Sequence, residues 1–360
     1  MKRTSVIALI YISCMITSSV NASQECNEIN FSFCLNGVGP AVTNPDVLRI
    51  TASNVAKQNK TEAGKQYEES FSFKGDHYIS GHSAGDLPGG WGIWGSYTRT
   101  SFEADLPINS VVQPIASYDG DQDIALFGAD RFFGEQFLVG LAFGYERTDT
   151  DTAYNGGNNE ADGYTVAPYV AYLINDVFSV DVTAGYSDLK YETVRIDNVS
   201  GGRITGNFDS SRWFMAANLN AIQTYRQWVF GGQVGFLYTD EKQDAYNEVG
   251  PNTARSISKR KLDLKQFLIG TDVAYSMNGL EPFVSVYYFN DISRNDGEDA
   301  GGLPSNIGAT QPDDDDEFQV GVGVRYFYKD NISGTLEYNK VLNRNKFDAD
   351  IFMFMIRLDL

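Results

Sequence analysis

Residues 136–146 read QFLVGLAFGYE. Phe137, Val139, Leu141, Phe143 and Tyr145 take every second place, and Leu138, Gly140, Ala142, Gly144 and Glu146 fall between them. Side chains of a β-strand point alternately to its two faces, so this spacing makes a strand with one bulky apolar face and one small, mixed face. FSVDVTAGY (178–186) repeats the rule, with Phe178, Val180, Val182, Ala184 and Tyr186 against Ser179, Asp181, Thr183 and Gly185. FQVGVGVRYFY (318–328) sets Phe318, Val320, Val322, Val324, Tyr326 and Tyr328 against Gln319, Gly321, Gly323 and Arg325.

Worked outward from these stretches, twelve segments read as strands: 91–104, 117–132, 136–150, 162–174, 177–192, 207–224, 227–241, 260–276, 282–291, 315–328, 332–343 and 347–360. Those starting at 91, 117 and 282 leave their faces undecided. Gly134-Glu135, Asn175-Asp176, Arg226-Gln227, Asn278-Gly279 and Lys329-Asp330-Asn331 mark tight turns. Between them lie longer polar stretches such as DTAYNGGNNEA and QDAYNEVGPNTARSIS. Short turns on one side and long loops on the other belong to an outer-membrane barrel, and an even strand count returns both ends to the periplasmic side. A soluble sandwich would bury its apolar face and wet its polar one. Here the second face is glycine, alanine and small polar residues, which suits a lumen, and a closed barrel satisfies every backbone group in lipid. The expectation is an all-β, 12-stranded antiparallel transmembrane barrel over residues 91–360.

The last ten residues, IFMFMIRLDL, place Phe352, Phe354, Ile356, Leu358 and Leu360 outward and Met353, Met355, Arg357 and Asp359 inward. This terminal strand resembles the signal read by the barrel-assembly machinery, which usually ends in Phe or Trp; Leu360 departs from it. The opposite end carries Lys2 and Arg3, an apolar run of 11 residues from Val6 to Ile16, and Val20-Asn21-Ala22, the pattern of a cleaved signal peptide over residues 1–22. Loss of Lys2 and Arg3 takes the formal charge from −19 to −21, an acidity that argues against nucleic acid as a partner. Cys26 and Cys34, eight apart in an exported chain, read as a local disulfide. No further Cys or His ligands stand at metal-site spacing beside them.

Residues 23–90 form a separate N-terminal segment. Within it Asn44, Pro45 and Asp46 start a helix and Gly64 closes it. The 19 residues Pro45 to Ala63 would reach roughly 28 Å, close to membrane thickness.

Three motifs suggest chemistry. GHSAG at 81–85 matches a hydrolase nucleophile elbow, but AGDLPGG follows Ser83, and the only histidines, His77 and His82, precede it. The order serine, acid, histidine fails, and no enzyme is expected. Asp119, Asp121 and Asp123 imitate a calcium loop, yet Ile124 and Asp130 stand where Gly and Glu are needed, so the stretch reads as a loop entering the second strand. Asp313 to Glu317 read as a solvated loop tip. Catalytic, cofactor and metal residues are therefore all expected to be none. Lumen-facing charges are expected at Glu146, Asp181, Arg212, Asp272, Arg325, Glu337, Arg357 and Asp359, as cross-lumen pairs or as plug contacts.

WGIWGSYTRT, ALFGADRFFGEQFLVGLAFGYERTDTDT and DGYTVAPYVAYLINDVFSVDVTAGYSDLKYETVR, followed by the terminal strand, resemble the translocator (β-domain) of autotransporters. The resemblance covers about three quarters of the chain, and the family's barrel has the same strand count. It implies integration in the outer membrane of a Gram-negative bacterium, among lipid and lipopolysaccharide, after delivery by the barrel-assembly machinery. It also implies a linker helix in the pore, hence residues 45–63 as a plug; the alternative is a flexible periplasmic or surface tail. The family's cleaving members cut between adjacent asparagines; Asn54 and Asn59 are not adjacent. A large passenger would precede such a barrel, whereas about 68 residues separate the signal from Trp91. The expected role is a surface-exposed structural or interaction protein with no large secreted passenger, its loops meeting an unidentified surface ligand. The alternative is a passive, porin-like channel for small solutes.

Overall fold

The computed structural model describes residues 90–107, 115–134, 136–153, 156–175, 177–197, 200–251, 254–299, 315–328, 331–344 and 347–360. The signal segment, the expected helix 45–63, Cys26, Cys34 and GHSAG lie outside them. Each of the twelve alternating segments forms a strand: β1 (Trp91–Pro107), β2 (Ile115–Phe133), β3 (Phe137–Thr152), β4 (Gly157–Leu173), β5 (Phe178–Ile196), β6 (Arg203–Tyr225), β7 (Trp228–Gln243), β10 (Arg260–Tyr275), β11 (Leu280–Asp299), β12 (Asp316–Tyr328), β13 (Ile332–Leu342) and β14 (Phe347–Asp359). They close in chain order into one antiparallel barrel, β1 pairing with β14. Two residues each of β8 (Tyr246–Asn247) and β9 (Ser256–Ile257) pair inside the β7–β10 connection. Among the described residues no helix is long and apolar enough to cross a membrane, which says nothing about strands. The all-β, twelve-stranded expectation holds.

Alternation decides which way each side chain points. On β3, Phe137 and Phe143 are 48% and 58% exposed on the outside, whereas Leu138 and Ala142 are each 1% exposed on the inside. The undecided faces resolve the same way: Trp91, Ile93 and Tyr97 of β1 and Phe127 and Phe133 of β2 look out, while Trp94, Ile124 and Leu126 look in. Aromatic pairs edge the outer apolar belt. Phe137–Tyr172 and Trp228–Tyr275 lie at the short-turn end, with ring centroids 4.7 and 5.0 Å apart. Tyr145–Tyr164, Tyr186–Trp213 and Tyr288–Phe318 lie at the other, at 5.4, 4.7 and 5.2 Å. From Phe137 to Tyr145 is roughly 27 Å of strand, about 20 Å of height once strand tilt is allowed for, the scale of a barrel's apolar band.

The glycines of the inner face make room. A Cβ on Gly140 would stand 2.1 Å from the Tyr169 ring, and one on Gly185 2.0 Å from Phe214. Large lumen aromatics thus lie across bare backbone on the neighbouring strand, which explains a small inner face beside a bulky outer one.

The strands run well past the belt. Asp119, Asp121 and Asp123 are not in a loop; they are outward positions of β2, in register with Asp151, Asp149 and Arg147 of β3. Most of DTAYNGGNNEA is likewise paired sheet, and Asp316 and Glu317 open β12, with Glu317 buried in the lumen. The physical reason is that above the bilayer the outer face no longer needs apolar residues. The apolar alternation therefore stops at the membrane boundary, while the hydrogen-bonded ladder continues as a collar.

Candidate functional site

Buried arginines organise the inner wall by bridging carboxylates from different positions: Arg344 reaches Asp291 at 2.9 Å and Glu317 at 3.8 Å, and three further clusters hold charges singled out by sequence. On one wall, Arg212 of β6 donates to Glu146 of β3 at 3.0 and 2.8 Å and to Glu241 of β7 at 2.9 Å. Glu241 also accepts from the Tyr191 hydroxyl, the Ser210 hydroxyl and the Gln243 amide. Across the barrel, Arg325 of β12 reaches Glu281 at 2.7 Å and Asp272 at 3.4 Å, with its guanidinium 4.4 Å from the centre of the Phe283 ring. Near the barrel's closure, Arg357 of β14 clamps Asp130 of β2 through two bonds of 2.7 and 3.0 Å and Asp359 through one of 2.9 Å. Tyr169 donates to Asp130 at 2.7 Å and Trp94 donates to Tyr169 at 2.8 Å, so this cluster ties β14, β1, β2 and β4. Burying an ion out of water costs several kcal/mol, so each arginine needs its full set of acceptors.

Of the residues singled out by sequence, Glu146 with Arg212, Asp272 with Arg325, and Arg357 with Asp359 are brought together. Asp181 meets amides, accepting from Asn218 and Asn220 at 2.7 Å each. Glu337 is buried on β13, in register with Gly323. On β14, Phe352, Phe354, Ile356 and Leu360 are exposed and Leu358 is half-buried. The sequence reading missed Asp130, Glu241 and Glu281. Parity alone could have found Glu241, because Trp228, Phe230, Val234, Phe236 and Tyr238 point out and send the odd-numbered Glu241 in. Asp130 and Glu281 needed the faces of β2 and β11.

Above the belt the collar has its own fittings. The β7–β10 connection turns back onto the upper, otherwise uncovered edge of β6, where Thr205 bridges Val249. Tyr246 stacks on Phe208, which stacks on Tyr191, each at 4.7 Å. Arg195 holds Glu248 through bonds of 2.8 and 2.6 Å, both side chains buried. Burial pushes the Tyr246 hydroxyl above its ordinary pKa and holds Arg255 below its own, with Arg195 adding to the effect. Along the outer rim, rim tyrosines donate to carboxylates on the next strand: Tyr97 to Asp123 and Tyr288 to Asp316, both at 2.5 Å, and Tyr338 to Asp350. Those bonds, first among their causes, hold Asp316 and Asp350 below the usual carboxylate range.

Just above the rim, Arg99, Asp123, Arg147, Asp162 and Lys190 stand in one register row and alternate in sign. Two residues higher the row is Asp121, Asp149, Glu160 and Glu192, acid throughout. Like charges directly opposite one another weaken a sheet. Neighbouring rows offset part of that repulsion: Arg99 bonds Asp121 at 2.7 Å, Arg147 reaches Glu160 at 3.3 Å and Asn158 donates to Asp149 at 2.6 Å.

Among the described residues no group of three or more His, Cys, Asp or Glu is placed to hold a metal. A lumen cavity of about 40 Å³ lies among Asn218, Gln233, Leu237, Gln266, Tyr287 and Gln319, room for a few waters.

A family model described as the autotransporter β-domain matches residues 109–339. No curated protein matches the chain. Among solved structures, the translocator domain of the autotransporter NalP from Neisseria meningitidis aligns at a TM-score of 0.63 and 13% identity, covering 86% of this chain and 98% of that one. The β-domain of the Bordetella autotransporter BrkA gives 0.55 and 14%, covering 76% and 100%. The transport unit of AIDA-I from Escherichia coli gives 0.52 and 15%, covering 84% and 98%. At these identities the likeness is one of fold.

Proposed function

Because this chain belongs to the autotransporter β-domain family, a translocator barrel integral to the outer membrane and not an enzyme fold, we propose that it works as a surface-exposed structural and interaction protein. Its collar is the working surface, and residues 45–63 are a lumen plug. In this reading residues 1–22 direct export and are removed, Cys26 and Cys34 close a short loop, and no catalytic step is involved.

The observation that carries the reading is the collar itself. Strands of up to 23 residues far exceed the 9–11 that a crossing needs, and their excess length presents charged side chains in rigid register above the belt. A barrel made only to hold a pore open would need no such extension. The plug is supported by charge. On the β10–β13 wall the inward acids Asp272, Glu281, Asp291, Glu317 and Glu337 outnumber Arg260, Arg294 and Arg325, and residues 45–63 carry Arg49, Lys57 and Lys60 against Asp46 and Glu62. The barrel's partners in this reading are outer-membrane lipid, lipopolysaccharide and a surface ligand met by the collar.

Single-channel conductance of the refolded mature protein beside a deletion of residues 23–65 tests it. A silent full-length barrel and a conducting deletion are expected. Equal conductance from both would replace this reading with a passive channel for small solutes.

A further inference from the structure

Every neighbouring pair of barrel strands except one is joined directly by a connection in the chain, and a hairpin's turn and loop length fix its register. The exception is the closing pair, β1 with β14. Its register, Gly92 opposite Asp359 through Ala104 opposite Phe347, must come from side chains. A slip of one residue would turn Arg357 and Asp359 into lipid and is excluded by the pattern. A slip of two is not. Phe352, Phe354, Ile356, Leu358 and Leu360 form an apolar outer face of uniform character, which meets Trp91, Ile93, Gly95 and Tyr97 about equally well when shifted by two places.

We infer that the Arg357–Asp130 pair, spanning β14 to β2 across Gly92 of β1, is a register lock that selects the correct closure of the barrel. The guanidinium reaches over the intervening strand because Gly92 has no side chain: a Cβ there would stand 1.8 Å from the Arg357 Nη2. Asp130 is held for it by Tyr169, itself held by Trp94, and Arg357 and Asp130 are 1% and 0% exposed. A two-residue slip moves Arg357 by about 7 Å along the strand. That distance breaks both bonds and leaves two buried charges without each other, an outcome far costlier than the apolar mismatch. The lock rests on the fold alone and stands whether or not the barrel is plugged.

Cysteine pairs read the register. In a Cys26→Ser, Cys34→Ser background, Ser96→Cys with Met355→Cys reports native closure, since Ser96 faces Met355. Ser96→Cys with Met353→Cys, and Thr98→Cys with Met355→Cys, report slips of two in either direction. With the lock intact only the native pair should cross-link. Asp130→Asn, Arg357→Gln and Gly92→Ala, the last of which keeps both charges, should each raise the ratio of slipped to native cross-links at least about tenfold. Exchange of the charges, Asp130→Arg with Arg357→Asp, should restore native closure. Native-only cross-linking at wild-type yield in all three single variants would overturn the lock. So would variants that fail to assemble and are not rescued by the exchange, because the pair would then serve stability without selecting register.

Discussion

The belt and the collar are built from the same twelve strands under opposite rules. In the belt the outer face is apolar, and the lumen arginines behind it and at its rim are buried between acids. In the collar the outer face is charged and its ion pairs are exposed, while on the inside Arg195 and Glu248 stay buried and Tyr246 stacks on Phe208. The Arg212–Glu146 pair, facing the lumen at the rim, has side chains 5% and 4% exposed, whereas Arg99 and Asp121 on the outer face of the collar are 46% and 43% exposed. The difference teaches that the ladder of backbone hydrogen bonds sets where strands run, while the surrounding solvent sets what they carry. Matched substitutions in the two regions should therefore have unequal effects.

The largest contrast should come from the arginines. Arg212→Ala leaves Glu146 and Glu241 buried without their cation and should cost about 3–5 kcal/mol; Arg99→Ala should cost less than about 1 kcal/mol. Urea unfolding of the refolded barrels measures both, and similar midpoints for the two variants would erase the distinction. Next, Leu141→Arg puts a charge on the lipid face at the middle of the belt and should cost about 2–4 kcal/mol. Asp149→Arg, eight residues on in the collar, should change stability by no more than about 0.5 kcal/mol, and a comparable penalty at both sites would place the collar in lipid.

Glycines sharpen the comparison further. Gly140→Ala drives a methyl into the Tyr169 ring, which is tied to Asp130 and Trp94 and cannot swing aside, so a loss of about 1–3 kcal/mol is expected. Gly201, in a collar turn, has open space around it but a φ of +69°. Gly201→Ala should cost about 1 kcal/mol through backbone strain alone, and replacement by Asn should cost less. The smallest effect belongs to pH. Asp316 and Asp350 have carboxyls depressed by their tyrosine partners. Their contribution is present above the unfolded carboxylate pKa, about 4, and fades as pH falls through the still lower folded values. Amide protection relative to the intrinsic exchange rate should fall in acid at the collar ends of β12 and β14 and stay unchanged in the belt.

Much of this could be read from sequence, and the boundary of what could is physical. Alternation in β3, β5 and β12 located strands, faces and inward charges such as Glu146, Asp181 and Arg325, because lipid demands a strict apolar period. The same demand ends at the rim, so Asp119 to Asp123 and the residues around Asn158 resembled loops although they are paired sheet. Asp130 stayed hidden because β2 carries alanines and glycines on its faces, leaving too little contrast to assign parity. Glu248 could not be placed at all: its partner Arg195 lies 53 residues away, and no periodicity signals a loop folded back onto a sheet edge.

The most direct test of the membrane assignment is a cysteine scan along the outer face of β3 in intact cells, with Cys26 and Cys34 replaced by serine. Single cysteines at Val139, Leu141, Phe143, Arg147, Asp149 and Asp151 would be treated with a membrane-impermeant thiol reagent. Protection through Phe143 and full labelling from Arg147 onward are expected, with the boundary at Tyr145. Even labelling along the whole strand, or protection that continues through Asp151, would contradict the membrane assignment.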